Sequence, residues 1–239
     1  MEVFATTKKG KLSAENEDRI VVGSTILSCG IFRCDIPSGV VAVADGVGGN
    51  NGGAAASHYV ANRICGMKEC AMEFLESVNR DLISFSKNGV RLGNMATTLS
   101  GVFFSEGKAV SFHVGNSRVY SLLGGRYLKQ LTEDDTTVNY LIKTGKLLPE
   151  DIESFQDKNE ITACFGGGDP ALLKIKTSEI SDVKTFLLIT DGVHNYVSID
   201  ELEDIVGNEH HLFPVCRSIA AKAEENGSTD DISVVLVSV

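Results

Sequence analysis

Proline is scarce, four residues in 239, and no stretch is rich in Ser and Pro or dense in charge of one sign. No segment therefore reads as a linker, and no internal repeat of roughly 20–50 residues is present. Apolar runs are also short. None approaches the ~20 residues of a membrane-spanning helix, and Met1 to Lys11 has no apolar centre that could serve as a signal peptide. A basic block is missing too: 32 acids face 22 bases, leaving a net charge of −10. That balance argues against nucleic acid or an anionic membrane as partner. Apolar residues at 43% and charged residues at 23% are instead the proportions of a soluble globular protein. One domain over residues 1–239, cytoplasmic and monomeric, is expected.

The histidine and cysteine spacing of a zinc site is absent. Cys29/Cys34 and Cys65/Cys70 each have four intervening residues rather than two, and His58 is not at finger spacing. A chain of this length needs no disulfide staples. The six cysteines are expected to be free thiols in a reducing compartment.

What is present is a series of short runs rich in Val, Ile and Phe. Residues 19–23, 25–32, 40–44, 98–104, 109–114, 119–123, 172–176, 186–190 and 232–237 read as strands. Turn chemistry at Ser105-Glu106-Gly107 and Gly124-Gly125 makes the middle of the chain antiparallel hairpins. Ala71, Phe74, Leu75, Val78, Leu82 and Phe85 form one helical stripe. Leu212, Val215, Cys216, Ile219 and Ala223 form another, and a third helix starts after Gly53. The stretch 159–169 has no clear period. Helices in two clusters around an all-β middle indicate an α+β sandwich of sheets covered by helices.

Carboxylates stand at four strand ends. Glu17-Asp18 precedes Arg-Ile-Val-Val, Asp45-Gly46 follows Val40–Ala44, Asp191-Gly192 follows Phe186–Thr190, and Asp230-Asp231 precedes Ile232–Val235. Each strand is apolar on nearly every residue and so is buried on both faces. A carboxylate at the mouth of such a strand is costly unless paired or bound to a metal. If the mouths converge, the cluster repels itself and requires cations. All-oxygen ligands favour Mg²⁺ or Mn²⁺ over Zn²⁺, and two such ions suit in-line attack of water on phosphorus. Either Asp-Gly taken alone is equally a hairpin turn. Residues 45–53, however, hold five glycines in nine positions and lead into a helix. That density implies close backbone approach, and it leaves the Gly46 carbonyl able to face a metal.

These residues belong to a longer ordered set. Asn16-Glu17-Asp18, Asp45-Gly46-Val47-Gly48-Gly49 with Gly53 and Ala56-Ser57, Met95-Ala96-Thr97-Thr98, and His113-Val114-Gly115-Asn116-Ser117-Arg118 are followed by three more. They are Leu131-Thr132-Glu133-Asp134, Thr190-Asp191-Gly192 and Ser228-Thr229-Asp230-Asp231-Ile232. From residue 10 to 237 the set resembles the type 2C metal-dependent protein phosphatases, particularly the compact bacterial members. The resemblance implies a four-layer α-β-β-α sandwich of two antiparallel sheets flanked by helices. It also implies two Mn²⁺ or Mg²⁺ ions per chain. Asp45 would bridge both ions, the Gly46 carbonyl would bind one, and Asp191 and Asp230 would hold the other. Glu17 and Asp18 would bind directly or through waters, with Thr97 and Thr98 buttressing the site. The implied reaction is hydrolysis of phosphoserine or phosphothreonine on proteins by a water activated between the two metals, with no phosphoenzyme. Residues 134–157 would form a flap beside the site. A partner Ser/Thr kinase would supply the phosphorylated substrates.

The sequence departs from that family in four places. Ser13 stands where many members have an arginine that grips phosphate, and a hydroxyl cannot make its charged, bidentate contact. Lys8, Lys9 or Lys11 would have to substitute. Asn116 replaces an aspartate that helps hold a third metal, so weak third-metal occupancy and slower turnover are expected. Val47 replaces a histidine proposed as general acid in some relatives, and Asp135 replaces a common histidine at the start of the flap. Ser13 and Asn116 together raise an alternative, a catalytically weak member acting as a phosphoprotein-binding regulatory module. The retained Asp45, Asp191 and Asp230 argue for an enzyme. Hydrolysis of a small phosphorylated metabolite would use the same metals.

Other candidates are blander. His113 reads as a sheet histidine. His210-His211 reads as a solvated helix start, because adjacent helical residues point apart. Gly166-Gly167-Gly168 reads as a loop.

Overall fold

The computed structural model describes residues 1–47, 52–88, 95–155, 159–167, 173–208 and 212–239. The strands are β1 (Glu2–Lys8), β2 (Arg19–Val22), β3 (Thr25–Leu27), β4 (Gly30–Asp35), β5 (Gly39–Ala44), β6 (Gly46–Val47), β7 (Ala96–Thr97) and β8 (Leu99–Ser105). They continue with β9 (Lys108–Val114), β10 (Arg118–Leu123), β11 (Tyr127–Gln130), β12 (Phe165–Gly166), β13 (Lys176–Ile180), β14 (Thr185–Ile189) and β15 (Ile232–Ser238). The helices are α1 (Gly52–Ile64), α2 (Met72–Asn88), α3 (Thr137–Lys143), α4 (Asp191–His194), α5 (Ile199–Asn208) and α6 (Leu212–Glu225).

Two six-stranded antiparallel sheets, ordered β11-β10-β14-β15-β1-β4 and β13-β9-β8-β5-β2-β3, carry the fold. A small third sheet, β12-β7-β6, sits beside them. Side chains alternate across each strand, and in central strands such as β5, β14 and β15 both faces are buried. In β5, Val41 and Val43 join the core between the sheets, while Val40, Ala42 and Ala44 face α1 and α2. In β15, Val235 and Val237 join the same central core, while Val234 and Leu236 face α5 and α6. The layers are therefore helices, sheet, sheet, helices, as the resemblance implies. Apolar runs without alternation mark strands buried on both sides.

Three expectations need correction. The run 25–32 is not one strand. It breaks at Ser28-Cys29, and β3 and β4 lie in different sheets. The turn uses Gly30 at φ +92°, a conformation that costs glycine little. The strand expected at 172–176 lies instead at Lys176–Ile180, an exposed edge strand whose polar sequence carries no apolar signal. Phe85 leaves the α2 stripe: Leu75, Val78 and Leu82 are fully buried, but Phe85 is 48% exposed and stacks on Tyr59 at 5.3 Å. Strands β1, β6, β7, β11 and β12 and helices α3, α4 and α5 have no counterpart among the expected elements. The six cysteines are free, and Gly48, Gly49, Gly168, His210 and His211 lie outside the described residues.

Candidate active site

Register brings distant carboxylates to one end of the sandwich. Arg19 pairs with Ala44, so Glu17-Asp18 and Asp45 leave β2 and β5 side by side. Arg118 pairs with Ile189, which sets Asn116 beside Asp191. Ile189 pairs with Val234 and Lys8 with Ile232, which brings Asp230-Asp231 and the residues after Lys8 to the same edge.

Neither Asp-Gly pair is a hairpin turn. Asp45-Gly46 runs from β5 into β6, where Gly46 pairs with Thr97. Asp191 opens α4, placing its charge at a helix start. Thr97 and Thr98 hold the Asp45 main chain: Thr97 Oγ1 donates to the Asp45 carbonyl at 2.7 Å, and Thr98 N–H donates to it at 2.8 Å. The Asp45 N–H in turn donates to Thr98 Oγ1 at 3.1 Å. The glycines allow backbones to touch. A Cβ on Gly46 would lie 2.4 Å from the Gly53 carbonyl carbon, and one on Gly53 would lie 2.5 Å from Glu17 Oε2. The close approach anticipated from the glycine density is between these two segments.

The electrostatics are those of a crowded anionic cluster. Burial raises the Asp45 carboxyl well above its ordinary range, and Asp191, Asp18 and Asp230 push it further, with Asp191 within hydrogen-bond reach. Asp18 is fully buried and likewise raised by burial, although Thr190 Oγ1 donates to its Oδ2 at 2.9 Å. Asp230 stands at the rim, raised by partial burial and by Asp191. Glu17 is raised by burial and by Asp231. Buried carboxylates that raise one another in this way call for cations.

The residues fit a pair of hard divalent ions. Among the described residues the buried Asp18 Oδ1 has no hydrogen-bond partner, and the carboxylates of Asp231 and Asp191 act on it; such oxygen donors suit hard cations. Among the described residues no three His, Cys, Asp or Glu side chains form a ready-made cage. A Mg²⁺-like ion does not require one, because it keeps several waters and takes one or two carboxylates.

Asp231 was read from the sequence only as half of an Asp-Asp pair, yet it organises this end of the molecule. Its carboxylate accepts Gly10 N–H at 2.7 Å and Glu17 N–H at 2.6 Å. The buried Asn116 donates Nδ2–H to Asp191 Oδ2 at 3.0 Å. His194, one turn beyond Asp191, was not singled out; burial, then Arg118, lowers its pKa to about 4. His113 is a satisfied sheet histidine, bonded to Ser100 Oγ at 2.8 Å and the Glu133 carbonyl at 2.9 Å.

The lysines near Ser13 divide. Lys8 pairs with Glu224 on α6 at 2.7 Å, away from the cluster. Lys9 Nζ donates to the Ser13 carbonyl at 2.5 Å. At the expected flap, Arg118 grips the Asp134 carboxylate with Nε and Nη2. Asp135 accepts from Gly115 N–H at 3.0 Å and from Lys176 Nζ at 2.5 Å, so it packs the flap's base. The segment continues through α3 and a 3₁₀ turn at Pro149–Ser154; 156–157 lie outside the described residues.

Comparison with known proteins identifies the family. The Protein phosphatase 2C family model matches residues 31–236. Serine/threonine phosphatase stp of Listeria monocytogenes serotype 4b is 29% identical over 97% of this chain and 93% of its own. Protein phosphatase PhpP of Streptococcus pneumoniae is 30% identical over 83% of this chain and 85% of its own. The crystal structure of the Mycobacterium tuberculosis serine/threonine phosphatase PstP/Ppp superposes with a TM-score of 0.83 at 23% identity, covering 100% of this chain and 99% of that one. A second PstP structure, of the catalytic domain with two manganese ions, superposes with a TM-score of 0.78 at 23% identity and the same coverage. The chain belongs to the protein phosphatase 2C family.

Proposed function

We propose that Asp45, Asp191 and Asp230, with the Gly46 carbonyl, hold two Mn²⁺ or Mg²⁺ ions with which this serine/threonine protein phosphatase hydrolyses phosphoserine and phosphothreonine on proteins. The observation that carries the reading is the Asp45 carboxyl, pushed far up by burial and by three other aspartates. Four carboxylates collected at that cost are explained by a dication pair. PstP, with the same fold, is described as binding two manganese ions. Bound ions of this kind lower the pKa of water and polarise phosphoryl oxygens.

The chain's own residues do the rest. Asp18 and Glu17 add charge behind Asp45 and accept from waters. Thr97 and Thr98 hold the Asp45 backbone, and Asp231 ties Gly10 and Glu17 to the β15 end. Lys9, tethered to Ser13, supplies the positive charge that meets the substrate phosphate in place of the family's arginine. Asn116, with its amide nitrogen turned to Asp191, offers no charge to a third ion. We take residues 1–239 as one catalytic domain with 134–157 as its flap, working as a cytoplasmic monomer against a partner kinase. Among the described residues no helix is long and apolar enough to cross a membrane.

The binding-module reading is disfavoured by the intact aspartates and by relatives named as phosphatases. The test is phosphate release from a phosphothreonine peptide with added Mn²⁺, with and without chelator. Release that needs Mn²⁺ and stops with chelator supports the reading; phosphopeptide binding without release contradicts it.

A further inference from the structure

Helix α4 carries a histidine that none of these roles uses. His194 Nε2 lies 3.0 Å from the main-chain carbonyl of Asn116. A carbonyl only accepts, so Nε2 carries the proton. Nδ1 is then the bare acceptor, buried with no hydrogen-bond partner among the described residues.

Asn116 is itself buried. Its Nδ2–H donates to Asp191 Oδ2 at 3.0 Å, and its Oδ1 has no partner among the described residues. The amide has one workable orientation, since turning Oδ1 toward Asp191 would set two acceptors together. The preceding residue is clamped as well: Gly115, at φ +107°, accepts Asp135 N–H at 2.7 Å and donates to Asp135 Oδ2 at 3.0 Å. The 115–116 segment is thus held by Asp135 on one side and by His194 on the other. Beyond His194 lies a cavity of about 470 Å³, bordered by Arg118, Asp134 and Asn139, so the ring is not wedged in place by packing alone.

From these contacts we propose that His194 is a positioning residue: its Nε2–H bond to the Asn116 carbonyl fixes the amide that orients Asp191 toward the bound ions. The inference rests on the reading of Asp191 as an ion ligand. His194 touches neither ion nor substrate, and it acts through Asn116. Partners one step removed from a metal ligand typically carry a tenfold or larger share of affinity.

The test is Mn²⁺ titration calorimetry on the full chain, with phosphopeptide kinetics beside it. His194→Gln keeps an N–H donor at the ε position, whereas His194→Leu keeps volume without one. The Leu variant should bind Mn²⁺ about tenfold more weakly, with the peptide KM unchanged at saturating Mn²⁺, and the Gln variant should recover most of the lost affinity. A folded Leu variant with wild-type Mn²⁺ affinity overturns the inference, as does a Gln variant no better than Leu. Should Leu fail to fold, Asn116→Ala cuts the same relay and is read against Gln by the same two outcomes. Asp191→Asn separates the layers of the argument. Unchanged binding in Asp191→Asn overturns the site reading and the inference together. Lost binding there beside an unaffected Leu variant overturns the inference alone.

Discussion

The side-chain amide of Asn116 lies 3.0 Å from Oδ2 of Asp191, donor to acceptor, while its own Oδ1 is buried without a partner among the described residues. A neutral amide thus stands where the resemblance implies a carboxylate, and it spends its donor on Asp191, the ion ligand proposed above. Asn116→Asp adds a charge that a third ion can use. Manganese-dependent turnover should rise at saturating Mn²⁺, where the lost amide donor to Asp191 no longer limits ion binding. Steady-state rates across a Mn²⁺ series check this; an unchanged or lower rate counts against it.

Lys9 Nζ donates to the Ser13 carbonyl at 2.5 Å, so its charge is held near the position of the family's arginine. Lys9→Ala should raise the phosphopeptide KM by about tenfold or more, the ~1.5–3 kcal/mol of a hydrogen bond to a charged group, with kcat little changed. Lys8→Ala, which removes a pair with Glu224 at 2.7 Å, should leave KM alone. Equal effects from the two lysines would remove Lys9 from the phosphate site.

A Cβ on Gly46 would sit 2.4 Å from the Gly53 carbonyl carbon and oxygen, which are backbone atoms with no room to swing away. Gly46→Ala should cost about 1–3 kcal/mol, the range of overpacking, and lower the melting temperature by several degrees. It should also weaken Mn²⁺ binding, because Asp45 moves with its neighbour. A variant as stable and active as wild type would show that the two segments have slack.

His113 gives a pH dependence whose sign is fixed. Burial, the larger cause, lowers its pKa, with Asp135 acting the other way. The unfolded chain titrates near 6.5 and takes up the proton first. Stability from the neutral, doubly bonded ring is therefore full above about pH 6.5 and is lost as pH falls below it, at up to about 1.4 kcal/mol per pH unit. Denaturant unfolding from pH 7 to 5 should show a steeper loss in wild type than in His113→Gln. Parallel slopes would rule this out.

Much of the site was legible because its aspartates flank strands of continuous apolar sequence. Val40–Ala44 and Phe186–Ile189 announce two-sided burial, and the polar residue that ends each run must lie at a sheet edge. Which edges coincide is a matter of register, and no local pattern encodes the pairing of Arg19 with Ala44. The run 25–32 shows the limit: its apolar residues are continuous in sequence but serve two sheets. Asp231 was hidden because its role is to accept two backbone N–H groups from residues more than 200 positions away. Edge strand β13 lacks the apolar density that makes a buried element visible, whereas helix α5 does carry an apolar stripe, Leu202, Ile205 and Val206, in a short segment. His194 carries no motif, and its meaning comes only from the Asn116 carbonyl beside it.

The most direct test strips the protein with chelator and titrates Mn²⁺ calorimetrically into wild type and Asp45→Asn. Wild type should take up two ions and regain phosphatase activity in step with them. Asp45→Asn, which relieves the crowding but removes the carboxylate proposed to hold the ions, should stay folded, lose high-affinity uptake and release no phosphate. Wild-type stoichiometry, affinity and rate in folded Asp45→Asn would contradict the account.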